Sequence, residues 1–392
     1  MKKVFLLVIF TCILIGCNSQ LPIPDGRDAR DTISLVGLHS EQVHFKLSDI
    51  VDSINYFPIP TEDNLLIGQV GKLMIVDSGF MIVDNRITNS VYLFSRNEPN
   101  GISINHYGNG PTEYLRLSDA FYNNTLNEVG IYCNLKNEIL YYRLDGEYSR
   151  KCKIPYRGES IYPMERGFLL HTEYQENESL KHKGRYPDLI FVNEENDTIS
   201  PICENYFKGP VNHSVVWSSN SCFSIWKDTI ALKPDHSNVV YHCTSEGLYP
   251  AHFLNCGEHN LDERFWDKAL EANMDIHKLE EFCRSEDLCE IIWYLESEKI
   301  ISFICKQKGI LTQVLYSKSS RNVKLFREIE NDMDSFASFN PKAIKGNKIY
   351  GIISAYSVAQ QISDKHQKVP SSLQQVEEGD NPIIVEFTLK DF

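Results

Sequence analysis

The side chains that could take part in chemistry stand in turns of this sequence of 392 residues, where a repeating fold would present them to a ligand. Six of them are candidate ligand-binding residues: Arg86, Tyr107, Glu113, Tyr114, Asp235 and His236. A glycan lyase or hydrolase would need more, because its general acid and base are a pair of carboxylates or a histidine–tyrosine constellation. No such constellation is visible in the sequence, so we assign no catalytic residue and expect binding rather than catalysis.

Sequence motifs for metal, phosphate and nucleophile chemistry are missing. The chain has no HExxH, GxSxG or Walker A motif, and no two cysteines have the CxxC spacing of a zinc ribbon. We therefore expect no metal and no cofactor. The 53 acidic residues against 39 basic ones give a formal charge of −14. This charge argues against nucleic acid as a partner, because no basic excess is present to replace phosphate counterions.

The eleven cysteines give a weak signal. Export would permit disulfides, and Cys283 with Cys289 is a plausible local pair. Cysteine also serves as a small buried hydrophobe, and this is the role expected where it lies inside apolar, strand-like runs. The cysteines in such runs are Cys133, Cys222, Cys243 and Cys305.

The N-terminus has the pattern of an exported, lipid-modified protein. Residues 1–3 are short and basic, and Val4–Ile15 is an apolar run of about a dozen residues, shorter than the roughly 20 that a membrane-spanning helix needs. The sequence Leu14-Ile15-Gly16-Cys17 resembles the lipobox of bacterial lipoproteins. In those proteins the cysteine thiol carries a diacylglyceryl group and begins the mature chain.

On this interpretation residues 1–16 are the signal peptide, Cys17 is the lipidation site, and the polar residues 17–40 are a tether. The protein is then an outer-membrane lipoprotein that faces either the periplasm or the outside, and its lipid is its link to the membrane. Two alternatives stay open. One is an ordinary signal peptide with an incidental cysteine, and the other is an N-terminal anchor helix.

The elements that must position the candidate residues recur along the chain. Each unit has an apolar strand, a polar turn, a second strand rich in Val, Ile and Tyr, and a turn with Gly. Steps of 48, 50 and 50 residues separate the starts of the second strands, at Val91, Ile139, Leu189 and Val239. Stretched copies follow at residues 300–316 and 348–387. Such units are typical of propeller blades, so we predict an all-β fold, a six-bladed β-propeller over residues 41–392.

Two insertions account for the wider spacing of the last copies. Residues 260–289, between the fourth and fifth blades, have apolar stripes at helical spacing and are predicted to be helical. Residues 360–380 are polar and contain Pro and Gly, which predicts a mobile loop. The early strand Val43–Leu47 is predicted to lie beside Ile383–Phe387 in the last blade, which closes the ring and removes the free sheet edges.

Three segments resemble a known family. Gly108-Asn109-Gly110-Pro111-Thr112-Glu113-Tyr114 resembles the Gly-x-Gly-Pro-x-Glu-Tyr motif of the NHL-like, six-bladed β-propeller lipoproteins of Bacteroidota, with Thr112 where a Gly is often found. The opening residues 47–59 and the ending residues 381–390 resemble the same family. The resemblance implies a fold and a cellular compartment but no reaction.

Two classes of function remain. The first is a lipid-anchored, non-catalytic binding or scaffold propeller that captures a glycan, a peptide or a partner protein of the envelope at the axial mouth, where the loops of all blades converge. The second is an axial-site carbohydrate-active enzyme, which two carboxylates roughly 5–10 Å apart at that mouth would indicate. Glu113 and Tyr114 have a structural alternative, a tight turn with a buried tyrosine and a carboxylate bonded to the backbone.

Overall fold

The computed structural model of the chain describes the residues that follow the expected N-terminal leader, with several gaps. The described residues are 29–37, 44–77, 79–96, 100–164, 167–181, 186–193, 198–201, 206–207, 223–244, 247–261, 265, 268, 276–334, 336–363 and 369–392. The expected signal peptide and Cys17 therefore lie outside them. No helix in the described part is long and apolar enough to cross a membrane.

Six sheets form the blades of a propeller, and we letter the strands of each blade from A, the innermost, outward. Blade I comprises Lys72–Val76, Gly79–Asp84, Ser90–Ser95 and Gly101–Ile104, and blade II comprises Asp119–Asn123, Glu128–Cys133, Glu138–Arg143 and Tyr148–Lys153. Blade III comprises Ser160–Met164, Gly167–His171, Leu189–Asn193 and Thr198–Pro201. The prediction of an all-β, six-bladed propeller is confirmed.

The remaining blades complete the ring. Blade IV comprises Phe223–Trp226, Thr229–Leu232, Val239–Thr244, Gly247–Asn255 and a fifth strand, Asp31–Ser34. Blade V comprises Cys289–Glu296, Ile300–Gln307, Ile310–Ser317 and Val323–Phe326, and blade VI comprises Ala343–Lys345, Lys348–Ile353, Ile383–Leu389 and Val51–Pro58. Two further small pairs are antiparallel Tyr186–Pro187 with Tyr206–Phe207, and parallel His44–Lys46 with Glu328–Glu330. Short 3₁₀ turns occupy Leu47–Asp49, Glu178–Leu180, Gly257–His259 and Ser371–Leu373.

The core consists of six apolar layers, one between each pair of neighbouring blades. Strand B of blade I shows how the sequence builds them. Phe80 and Ile82 belong to the layer shared with blade VI, whereas Met81 and Val83 belong to the layer shared with blade II. Successive side chains of a strand point to opposite faces, so a continuous apolar run fills two layers at once. The outer strand of blade II, Tyr148–Lys153, is polar and largely exposed.

The ring closes differently from the prediction. The strand beside Ile383–Leu389 is Val51–Pro58, with pairs from Ile383–Pro58 to Leu389–Val51. The predicted closing strand Val43–Leu47 was therefore wrong, since His44–Lys46 pairs in parallel with Glu328–Glu330 at the edge of the ring. The physical reason is length, because the apolar pattern continues beyond residue 47 and the longer segment matches the whole of the last strand.

The predicted helical insertion is confirmed for its second half. Helix α1 spans Ile276–Ser285, and its Leu279 and Cys283 pack against Phe265 and Tyr174. Tyr174 belongs to blade III, so the insertion covers a loop of a blade that is not its neighbour in the chain. Most of residues 262–275 lie outside the described residues.

The segment predicted as a mobile loop, residues 360–380, contains regular structure. Helix α2 spans Ala355–Ser363 and a 3₁₀ turn spans Ser371–Leu373. Val358 and Leu373 are fully buried, and Ile362 packs against the layer between blades V and VI. The prediction was wrong here because one apolar side chain per turn is enough to dock a short helix on a layer that is already formed.

The expected tether is shorter than residues 17–40. Asp31–Ser34 runs parallel to the outer strand of blade IV, from the pair Asp31–His252 to the pair Ser34–Asn255. Ile33 is buried in the layer between blades IV and V. This segment is therefore part of the propeller.

The disulfide also differs from the expected local pair. Cys289 bonds to Cys305 on the neighbouring strand of blade V, and Cys283 is free and buried. The pairing of Cys283 with Cys289, and the assignment of Cys305 as a free buried cysteine, were wrong. Cys133 and Cys243 are free and buried, as expected, and Cys222 lies outside the described residues.

Asn381 joins the last blade to the connection between blades VI and I. Its side-chain amide donates to the carbonyls of Pro60, at 2.7 Å, and Leu65, at 2.6 Å, and its carbonyl oxygen accepts from the amide of Ile67 at 2.9 Å. The residue is 4% exposed. Its loss would leave buried backbone groups without partners.

We expect Asn381→Ala to lower the free energy of unfolding by about 3 kcal/mol, because an unsatisfied buried polar group costs about 1–3 kcal/mol. The measurement is urea unfolding followed by tryptophan fluorescence. The control is Asn347→Ala, whose side chain makes a single 3.2 Å bond to the Leu389 carbonyl and which should cost less. Equal losses in the two variants would contradict this role for Asn381.

Candidate functional site

One end of the propeller, which we call the upper face, collects the loops between strands B and C and the connections from one blade to the next. His171 is the last residue of strand B of blade III, and it pairs with Leu189, the first residue of strand C. Asp188 directly precedes that strand, and Asp235 lies in the corresponding loop of blade IV. The strand ends therefore bring these three side chains to one place.

The three side chains are in direct contact. The Nε2 atom of His171 lies 3.0 Å from Oδ1 of Asp188 and 3.4 Å from Oδ2 of Asp235. The other oxygen of Asp188, Oδ2, accepts a 2.9 Å hydrogen bond from the backbone amide of Asp235. Asp188 is fully buried, whereas 42% of the Asp235 side chain is exposed. The cluster is thus a buried acid–base pair with one carboxylate open to solvent.

The backbone of the blade III loop is shaped to present this cluster. The amide of Thr172 donates to the Asp188 carbonyl at 2.7 Å. This bond continues the pairing of the two chain segments past the ends of strands B and C. Glu173 and Tyr174 then both adopt positive φ, 48° and 56°, which non-glycine residues seldom do. Such backbone strain persists where the surroundings hold it, and here Tyr174 is fixed against helix α1.

Charged groups continue from this cluster across blade V. The Nδ1 atom of His236 lies 3.4 Å from Oε1 of Glu290, and the Nζ atom of Lys306 lies 3.4 Å from Oε2 of Glu290. Lys306 also reaches Glu280 of helix α1, with its Nζ atom 3.1 Å from Oε1. We call the whole set the upper-face charge row: His171, Asp188, Asp235, His236, Glu290 and Lys306.

Burial and neighbouring charges set the protonation of the row. Burial raises the pKa of Asp188 above its usual range. Burial alone would also raise the pKa of Glu290, but His236 and Lys306 outweigh it and hold that pKa below its usual range. For His236 burial lowers the pKa, and the hydrogen bond and charge of Glu290 more than compensate and raise it. From Asp235 through His236 and Glu290 to Lys306, the charges therefore alternate in sign.

The structure brings only two of the six predicted ligand-binding residues, Asp235 and His236, into this row. His171, Asp188 and Glu290 were missed. Their positions could have identified them. Each lies at the upper end of a strand, and polar residues at these strand ends lie on the same face as Asp235. Spacing along the chain does not indicate which residues contact one another here, because the partners belong to different blades.

The other predicted residues lie elsewhere on the upper face. Arg86 is exposed in the B–C loop of blade I, and Tyr107 is 60% exposed in the connection between blades I and II. Tyr114 is fully buried, and its hydroxyl donates to the Asn89 carbonyl at 2.6 Å. Burial raises the pKa of Tyr114 far above its usual range. Tyr114 is therefore inaccessible to a ligand.

The glycine-rich turn before Tyr114 has a structural role, which was the alternative to ligand binding for Glu113 and Tyr114. Oε2 of Glu113 accepts a 2.7 Å hydrogen bond from the amide of Gly110. A Cβ atom on Gly108 would stand 2.1 Å from that oxygen, so a side chain there would force the carboxylate out. Lys136 donates to the carbonyls of Gly110 and Glu113 and ties the turn to blade II.

A second histidine–carboxylate cluster lies between blades IV and V, toward the opposite, lower face. Oε1 of Glu296 lies 3.0 Å from Nε2 of His242 and 3.0 Å from Nε2 of His252, and 2.6 Å from Nζ of Lys318. The hydroxyl of Tyr294 donates to Oε2 at 2.6 Å. Glu296 is fully buried and linked to four partners, so this carboxylate holds two blades together.

The closed ring of six blades makes the chain a six-bladed β-propeller protein. Within that class, residues 31–388 match the family described as Domain of unknown function (DUF4934), and the chain belongs to that family. No curated protein matches the sequence. The recognition of a Bacteroidota propeller family from the sequence is confirmed.

Two solved structures are similar to this chain, and the first of them shares its fold. A Bacteroides fragilis protein described as a "Putative exported protein" is 14% identical over 89% of this chain and 99% of its own, with a TM-score of 0.70. A member of the DUF4221 family from Bacteroides vulgatus is 8% identical over 87% of this chain and 97% of its own, with a TM-score of 0.47.

We expect Glu296→Gln to lower the free energy of unfolding by about 3–5 kcal/mol at pH 7, because it breaks a buried ionic cluster. Burial would raise the pKa of Glu296, but His242 and His252 hold it well below its usual range. A depressed folded-state pKa gives stability that is complete above the unfolded pKa, about 4.3, and is lost as the pH falls further. The difference between wild type and variant should therefore still be present at pH 5 and shrink below about pH 4.

Denaturant unfolding at each pH measures this difference. Glu258→Gln is the control, since its side chain is 89% exposed and the substitution should change stability little. A gap that fails to shrink below pH 4 would contradict the assignment of the stabilising charge to Glu296.

Proposed function

We propose that the chain is an exported, lipid-anchored propeller of the bacterial envelope that binds a protein or peptide partner at its upper face without catalysing a reaction. The supporting observation is where the large apolar side chains are exposed. The described residues of the upper-face loops of blades VI, I and II and of the connections beside them include seven: Leu66, Ile87, Tyr107, Leu115, Leu135, Met333 and Tyr356. We call this set the apolar sector.

The described part of the lower face lacks such a set. Among the described residues of its turns, Leu126 is the exposed large apolar side chain. Large exposed apolar patches mark surfaces that another molecule covers, and seven exposed apolar side chains on one face of three neighbouring blades are a candidate for such a surface. The asymmetry between the two faces supports a binding role for the upper face.

The chemistry of the apolar sector favours a protein over a glycan. Five of its seven side chains are aliphatic, and aliphatic groups pack against apolar side chains of a partner. Sugar rings are recognised instead by flat aromatic platforms, and Tyr107 and Tyr356 are the two aromatic members. The upper-face charge row, on blades III to V, adds a polar region that would orient the partner.

The enzyme alternative has one observation in its favour, the carboxylates of Asp188 and Asp235 on the upper face. Their contacting oxygens lie within 4.8 Å of each other, below the separations of roughly 5–10 Å that glycoside hydrolysis uses. Asp188 is also fully buried, with Oδ2 bonded to a backbone amide. A carboxylate that a sugar cannot reach is unsuited to attack or protonate it, which supports binding over hydrolysis.

The envelope location is supported by the sequence Leu14-Ile15-Gly16-Cys17 and by the description of the Bacteroides fragilis protein as exported. Cys17 lies outside the described residues, so its role is a proposal from the sequence. A lipid at Cys17 would attach the propeller to the outer membrane, on its periplasmic or its outer side.

We expect the full chain, expressed in a bacterium that processes lipoproteins, to incorporate radiolabelled palmitate and to partition into detergent. Cys17→Ala should lose both properties, because the thiol is the acceptor of the lipid. Cys12→Ala is the matched control, since it lies in the apolar part of the leader and should keep the label. Labelling that survives in Cys17→Ala would contradict the anchor.

We expect a photocrosslinking amino acid at Ile87 or Leu135 to trap a protein from the envelope fraction, because both positions lie in the apolar sector. The same group at Leu126, on the lower face, is the control and should trap much less. The adducts are read by gel mobility before and after protease treatment. Equal adducts at all three positions, or adducts that resist protease and contain carbohydrate, would contradict a protein partner at the upper face.

A further inference from the structure

We propose that His171, Asp188 and Asp235 bind a divalent transition-metal ion, Zn²⁺ or Mn²⁺, on the upper face. One imidazole nitrogen and two carboxylate oxygens, all within 4.8 Å of one another, converge there from two blades. Two ligand atoms that are each about 2.1 Å from one ion lie about 3.0–3.4 Å apart at octahedral to tetrahedral angles. The distances from Nε2 of His171 to the two carboxylate oxygens are 3.0 and 3.4 Å.

The unused oxygen of Asp188 is a second, independent observation. Oδ1 of Asp188 is fully buried and has no hydrogen-bond donor within the part of the chain that the structure describes. It lies 3.0 Å from His171, but the contact does not have the geometry of a hydrogen bond. Buried polar atoms are nearly always satisfied, so an unsatisfied carboxylate oxygen that faces a histidine nitrogen indicates a missing positive ligand.

The charges of the cluster support the same ligand. Two carboxylates share a site in which one of them is fully removed from water, and like charges in that position repel. A divalent cation offsets both charges at once. The Glu173 carboxylate, with Oε1 3.9 Å from Nδ1 of His171, stands on the other side of the ring, where metal-binding histidines commonly have an acidic neighbour.

The donor set selects the kind of ion. Imidazole suits Zn²⁺ and the later transition metals, carboxylate suits Mn²⁺ and harder ions, and no thiolate takes part. Mg²⁺ and Ca²⁺ prefer sites built of oxygen alone. Because the Asp235 side chain is 42% exposed, an ion can enter from solvent and keep open positions for water or for a group of the binding partner.

The cluster of His242, His252 and Glu296 has similar donors but does not need a metal ion to offset its charge. Lys318 already supplies a cation at 2.6 Å, and Tyr294 donates to the other oxygen of Glu296. It therefore serves as an internal control for where an ion binds. The sequence predicts no metal, because these three ligands come from two blades and are not close together in the chain.

The test uses residues 18–392, which contain every described element, after removal of metal with a chelator. Isothermal titration with ZnCl₂ and MnCl₂ should give one ion per chain, with weaker or no binding of CaCl₂ and MgCl₂. Asp188→Asn and Asp235→Asn should each weaken binding by at least about 10-fold, and His252→Gln should leave it unchanged. Asp235 is half exposed, so its variant keeps the test valid even where Asp188→Asn fails to fold.

Anomalous diffraction from crystals soaked in ZnCl₂ locates the ion directly, and the expected peak lies between His171 and the two aspartates. A peak at Glu296, or binding that His252→Gln abolishes and Asp235→Asn does not, would overturn the proposal. Absence of any one-to-one binding would overturn it as well. None of these results bears on the crosslinks at Ile87 and Leu135, so the two proposals fail separately.

Discussion

Every blade of this propeller is covered on both faces by its neighbours, and the molecule depends on that arrangement. A strand such as Gly79–Asp84 must supply apolar side chains to two layers in alternation, and it does so with an uninterrupted apolar run. The ring can bury all six layers only when it is closed, because an open ring would expose two of its sheets. Closure is achieved by pairing a strand from near the start of the described chain, Val51–Pro58, with the last strand, Ile383–Leu389.

Polar groups in such a molecule are confined to strand ends and to a few positions between blades, and each buried one needs partners. Glu386 accepts hydrogen bonds from Arg96, Lys348 and Tyr350 at the junction of blades VI and I. Glu296 is satisfied in the same way between blades IV and V. Asp188 differs from both, since one of its oxygens has no hydrogen-bond donor among the described residues. The comparison separates carboxylates that hold the ring together from one whose surroundings are incomplete without a ligand.

The fold could be predicted from the sequence because similar strand patterns recur about 50 residues apart along the chain. The details that failed depend on contacts that no spacing encodes. Cys289 bonds across a hairpin to Cys305 rather than to the closer Cys283, and helix α2 is held by a layer built from other segments. The candidate site could be predicted only in part from the sequence. Asp235 and His236 stood out as turn residues, but His171 and Asp188 become a site only when blades III and IV are placed side by side.

The strand Asp31–Ser34 has a consequence for how the molecule stands on a membrane. It runs parallel to the outer strand of blade IV and ends at the upper face, so the chain enters the propeller from the lower side. With a lipid on Cys17, 14 residues before Asp31, the anchor is at most about 50 Å of extended chain away from that entry point. Such an anchor would attach the bilayer to the lower side of the propeller. The apolar sector and the charge row lie on the opposite face from this entry point.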